Sequence, residues 1–196
     1  MRARGLRRLE VGPIDLDLAA GDCLAVTGPS GAGKSVLLRM LADLDPHEGQ
    51  AWLDGQACSA MPAPVWRRQV CYVAADSGWW LPQVGPHFTA GTDLATLLPR
   101  AGIAAEAAGW PVARLSTGER QRLALLRALR PGVRVLLLDE PTSGLDADNV
   151  ARIEALLRQQ LAQGLALLMV THDAAQAARL ATHHLALRGG RPVPAP

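Results

Sequence analysis

Aromatic side chains are scarce in this 196-residue chain, 4% in all, and none occurs before Trp52. Any core must be aliphatic, and a hydrophobic fraction of 49% can supply one. No apolar run reaches the roughly 18–20 residues needed to cross a bilayer. No apolar signal core follows the basic start Met1-Arg2-Ala3-Arg4. The expectation is a soluble, intracellular protein. Cys23, Cys58 and Cys71 are odd in number and lack CxxC spacing, which points to incidental or buried thiols and away from a disulfide framework or metal site. A net charge of +2 is too small to argue for a nucleic-acid partner. Lysine is rarest among the charged residues: of twenty basic residues only Lys34 is not arginine. A compact ammonium on a flexible stem fits between phosphate oxygens where a planar guanidinium does not.

Strand and helix patterns alternate along the chain, which implies a mostly parallel sheet with helices on both faces. Residues 14–18 alternate apolar and polar as a half-buried strand does. Residues 23–27 form a continuous apolar run, as in a strand covered on both faces. A helix is expected from Lys34 to about residue 44, a short hairpin-edge strand around Trp52, and a strand at 70–73. Residues 74–114 are rich in Gly, Pro and Trp and read as a separate small lobe. Beyond it come a helix at 117–129, a strand at 133–138, a helix at 147–163, a strand at 165–170, a helix at 174–180 and a last strand at 184–187. The tail 191–196 is expected to fray.

Between the second expected strand and its helix lies Gly28-Pro29-Ser30-Gly31-Ala32-Gly33-Lys34-Ser35, a full match to the phosphate-loop pattern G-x-x-x-x-G-K-[ST]. Its glycines let backbone N–H groups converge on phosphate oxygens, and Val36 continues the first turn of the helix behind them. Lys34 reaches the terminal phosphates and Ser35 offers a hydroxyl to Mg²⁺. Downstream, the apolar run 135–138 ends in Asp139-Glu140. Asp139 suits a Mg²⁺ contact through water, and Glu140 suits a base that polarises the attacking water.

Further segments carry a family resemblance. Leu115-Ser116-Thr117-Gly118-Glu119-Arg120-Gln121-Arg122 resembles the ABC signature, Pro141-Thr142-Ser143-Gly144-Leu145-Asp146 the segment ending in the D-loop, and Val170-Thr171-His172-Asp173 the switch-histidine strand end. In order and spacing they are similar to ABC transporter ATP-binding subunits over nearly the whole chain. The resemblance implies a single α/β domain with a P-loop NTPase core. The RecA-like core would span about 1–74 and 130–190, with an N-terminal antiparallel β portion, and a helical lobe about 75–129. It implies ATP hydrolysis with Mg²⁺, His172 at the γ-phosphate, and a head-to-tail homodimer in which Ser116 and Gly118 meet the partner's ATP and Asp146 lies in the D-loop. The permease would be a separate integral-membrane chain, with the cassette peripheral at the inner face of the membrane. The alternative is a soluble ABC ATPase of DNA repair or translation.

The chain departs from the family pattern in three places. An adenine-stacking aromatic is missing upstream of the phosphate loop, leaving Arg7 or Arg8 as candidate stacking groups. Ala75 stands where a metal-contacting glutamine is usual, with Asp76 next to it. Thr117 and Glu119 replace the usual glycine and glutamine of the signature. Trp79-Trp80 with Phe88 reads equally as core or as a groove for a membrane partner.

Lys34→Ala is expected to cut nucleotide affinity strongly, and Lys34→Arg to fail as well despite keeping the charge, because its fork does not fit the loop. A fluorescent-nucleotide titration checks both.

Overall fold

The computed structural model describes residues 1–194. Two sheets and six α-helices are found among them. The first sheet is antiparallel and contains β1 (Arg2–Arg8), β2 (Val11–Asp17), β4 (Glu48–Leu53) and β5 (Gln56–Ala57), in the order β2-β1-β4-β5. The second has six strands in the order β10-β9-β3-β8-β7-β6. These are β3 (Cys23–Thr27), β6 (Val70–Val73), β7 (Val135–Asp139), β8 (Ala166–Val170), β9 (His183–Arg188) and β10 (Arg191–Val193). All neighbours in it pair in parallel except β10 with β9.

The helices are α1 (Lys34–Leu41), α2 (Ala63–Gln69), α3 (Leu94–Arg100), α4 (Thr117–Ala128), α5 (Ala147–Ala162) and α6 (Ala174–Leu180). Four of them start on a side-chain cap: Asp93, Ser116, Asp146 and Asp173 accept from backbone N–H groups of the first turn. The start of α1 is different. Gly33 precedes it in the left-handed region, φ 92°, and a side chain there would collide with Val11.

The period of two divides the core. Val135, Leu137, Ala166, Leu168 and Val170 point to one face of the six-stranded sheet, where they pack with α1 and the antiparallel sheet. Leu136, Leu138, Leu167 and Met169 point to the other and pack with α4, α5 and the lobe. Helix α2 closes the first core: Trp66 is fully buried and its Nε1–H donates to the carbonyl of Leu41 at 2.9 Å. Between α5 and α6, buried Glu154 accepts from Arg179 at 2.6 Å and from Arg158 at 3.0 Å. The Arg179 guanidinium holds that carboxyl below the usual glutamate range.

Several expectations change. Strand β10 pairs with β9 from Arg191 to Val193, so the tail does not fray there, while residues 195 and 196 lie outside the described residues. The strand around Trp52 is interior to its sheet, with β5 outside it. The cysteine reading stands for Cys23 and Cys58, which are buried and free; burial pushes their thiols up to about 12 and about 11, which keeps both protonated.

The two tryptophans of the lobe part company. Trp79 is half-buried and packs on the second core, whereas Trp80 is 69% exposed. His87 accepts at Nε2 from the N–H groups of Trp80 and Leu81, at 3.1 and 3.0 Å, and lies edge-on to both rings. Its proton therefore sits on Nδ1, which donates to the carbonyl of Gln83. The Arg127 guanidinium lies 4.7 and 4.8 Å from the two ring centroids. Trp79→Ala is expected to cost about 3 kcal/mol, and Trp80→Ala less than about 0.5 kcal/mol. Thermal melts of the two variants check the split.

Candidate functional site

Parallel pairing brings three strand ends to one edge of the sheet. Val26 of β3 pairs with Val170 of β8, which pairs in turn with Asp139 of β7. The chain leaves β3 into the phosphate loop, β7 into Glu140 and β8 into Thr171 and His172. Residues far apart in sequence are thus placed within strand spacings of about 4.8 Å. This is the edge at which α/β sheets bind ligands.

Lys34 is buried, and its ammonium donates to the carbonyls of Gly28 and Pro29 at 2.8 and 2.9 Å. Ser35 is exposed at the start of α1, and no acidic residue occupies that helix's first turn. The helix N-terminus therefore keeps its positive end toward the loop of residues 28–33. Asp139 is 8% exposed, and its Oδ2 accepts from the Tyr72 hydroxyl at 3.1 Å. Burial, and next the Asp139 charge, push the Tyr72 phenol up, so it stays a donor.

Glu140 is the point of convergence. Its Oε1 lies 2.9 Å from His172 Nε2. Its backbone is left-handed, φ 51°, and its N–H donates to the carbonyl of Val170 at 3.0 Å. Gln121 of α4 donates to its carbonyl at 2.6 Å. Behind the turn, buried Gln176 of α6 donates to Thr142 Oγ1 at 2.7 Å. Tyr72, Gln121 and Gln176 were not singled out from sequence. Gln121 and Gln176 differ from surface glutamines only in their partners, which lie 19 and 34 residues away.

The signature residues stand apart from this cluster. Among the described residues no hydrogen bond joins Ser116 or Gly118 to the loop 28–35. Ser116 caps α4 in a capping box: its Oγ accepts from Glu119 N–H at 3.2 Å, while the Glu119 carboxylate accepts from Ser116 N–H and Oγ–H at 2.8 and 2.9 Å. The Ser116 N–H holds the Glu119 carboxyl below its usual range. A side chain on Gly118 would come within 3.0 Å of Leu145, so the signature packs closely on the segment that ends at Asp146. Asp146 caps α5 and accepts from Asn149 Nδ2 at 2.7 Å, and Arg122 of α4 donates to the Oδ1 of the same asparagine.

At the departures, Ala75 and Asp76 are exposed just beyond β6. Arg8 turns to the carbonyl of Pro46 at 2.7 Å and to Asp45. The turn between β1 and β2 instead presents Leu9, 77% exposed.

The sequence model of the family described as ABC transporter matches residues 11–143. The aliphatic sulfonates import ATP-binding protein SsuB 2 of Frankia alni is 39% identical over 96% of this chain and 77% of its own length. The Fe(3+) ions import ATP-binding protein FbpC of Streptomyces avermitilis is 37% identical over 91% of this chain, which spans only 55% of that protein. The fold matches an ATP-binding cassette solved as a dimer with ADP and Pi, at a TM-score of 0.83 and 22% identity, covering 98% of this chain and 97% of that one. No helix among the described residues is long and apolar enough to cross a membrane. The chain belongs to the ABC transporter family, as an ATP-binding cassette and an ATPase coupled to transport.

Proposed function

We propose that this cassette drives a permease carried on a separate chain, lies peripherally at the cytoplasmic face of the membrane, and works as a head-to-tail pair with two ATP between its members. The observation that carries the reading is the meeting of Glu140 and His172 at 2.9 Å, on the sheet edge that also bears the phosphate loop.

In this chemistry the loop 28–36 wraps the phosphates, which accept from its backbone N–H groups at every position but Pro29, and Lys34 turns its ammonium to the terminal ones. The Ser35 hydroxyl and the buried Asp139 carboxylate are oxygen donors of the kind Mg²⁺ takes, Asp139 through water. When bound, the ion neutralises charge on the phosphates. Glu140 accepts the proton of the attacking water, with His172 Nε2 beside its carboxylate at 2.9 Å. Ser116 and Gly118 address the γ-phosphate of the partner cassette. Their separation from the chain's own phosphate loop supports that assignment, and so does the positive end of the α4 dipole, which points the same way. Asp146 lies beside them through Asn149 and Arg122.

Residues 75–129 would act as the helical lobe that meets the permease. Exposed Trp80 stands over a cleft of about 250 Å³ lined by Cys71, Ser77, His87 and Arg127. An amphipathic ring at the mouth of such a cleft suits a partner anchor. The names of the relatives support transport, and no observation favours a soluble ATPase of DNA repair or translation.

Glu140→Gln is expected to keep ATP bound, slow hydrolysis by roughly 10²-fold or more, and accumulate a dimer. Light scattering with ATP and Mg²⁺ checks this, and a strict monomer with full turnover counts against the proposal. Ala75→Gln, which adds a side-chain oxygen beyond β6, is expected to raise basal turnover or lower the Mg²⁺ concentration needed for half-maximal rate. A Mg²⁺ titration of the ATPase rate measures it.

A further inference from the structure

Glu140 carries a side chain in a backbone region where a Cβ is unfavourable. Such a conformation persists only where the surroundings over-determine it. Its N–H is held by Val170 at 3.0 Å, and its carbonyl accepts both Ser143 N–H at 3.2 Å and Gln121 Nε2 at 2.6 Å. Val170 belongs to the neighbouring strand and Ser143 to the same turn. Gln121 alone of the three comes from α4, the helix that begins at Ser116.

We infer that Gln121 is a positioning residue that ties the backbone of Glu140 to the helix bearing the signature segment. The inference rests on the reading of Glu140 as the base. Gln121 is 8% exposed, so its amide is shielded from competing water. The next residue, Arg122, donates to Asn149, which in turn holds Asp146. Helix α4 thus grips both ends of the segment 140–146, at Glu140 through Gln121 and at Asp146 through Arg122. In the head-to-tail pair, the N-terminus of α4 faces the partner's nucleotide. Helix α4 therefore links the signature segment to the cassette's own carboxylate through Gln121, with Arg122 and Asn149 holding the far end of the turn.

The test is a double-mutant cycle on the full chain. Gln121→Met keeps the length and removes the donor. It is expected to lower kcat about tenfold, the scale of a slightly misplaced reacting group, with KM for ATP within about twofold of wild type. In the E140Q background the same change is expected to cost less than about twofold, because the group it positions no longer acts as a base. A role limited to holding the fold together would lower the rate by equal factors in both backgrounds, and that result overturns the inference. So does an unchanged kcat in Q121M. Gln121→Glu, of the same size and without a donor when ionised, provides the cycle should Q121M not be recovered folded. The two readings fail separately. Wild-type turnover in E140Q removes the base itself, whereas a slow E140Q with a fast Q121M removes only the link to α4.

Discussion

Parallel registration of β3, β8 and β7 is the constraint on which the rest of the molecule depends. Side chains alternate between faces, so a slip of one residue in β7 would exchange Val135 and Leu137 for Leu136 and Leu138, and both cores would lose their match. The same slip would carry Asp139 out of line with Val170 and Val26. Packing of two aliphatic cores thus sets the position of one carboxylate. No hydrogen bond to Asp139 could do this with comparable force, because net hydrogen-bond contributions are small beside the burial of several leucines.

Much of this was legible from residue order. The glycine-rich octapeptide, the run into Asp139-Glu140 and the strand before His172 all lie at strand ends, as their patterns imply. What escaped has physical reasons. Strand β1 contains four arginines and a glycine within Arg2–Arg8, and its register shifts twice against β2, so no clean alternation marks it. Helix α2 has seven residues, too few to show an apolar period over two full turns. The strand at Arg191–Val193 is recognisable only once β9 is there to pair with it. Gln121 and Gln176 act through partners on other elements, and nothing in a local window distinguishes them.

The signature segment shows a different kind of legibility. Glu119 can be read from sequence as an added negative charge near an anion site. The structure gives that charge an address: both N-terminal donors of Ser116 are turned to one carboxylate oxygen. A helix start that is well capped in the lone chain has donors already engaged, and an incoming phosphate exchanges partners with them instead of meeting them free. Under the proposed role of Ser116, the local stability of α4 and its readiness for an anion would be in opposition at the same two atoms.

Leu9 bears on what the turn beside the phosphate loop could offer a nucleotide base. The turn that presents it is seated against the phosphate loop through Val11 and Gly33 and tied to the last hairpin by the hydrogen bond from Gly12 N–H to the carbonyl of Gly190. A flat ring at such a place favours a base by stacking and by the alignment of its quadrupole. An isobutyl group offers apolar contact of no fixed orientation and carries no hydrogen-bonding group to read an edge. Contact of that kind does not tell one flat base from another, so any discrimination among nucleotides would have to come from a different side chain.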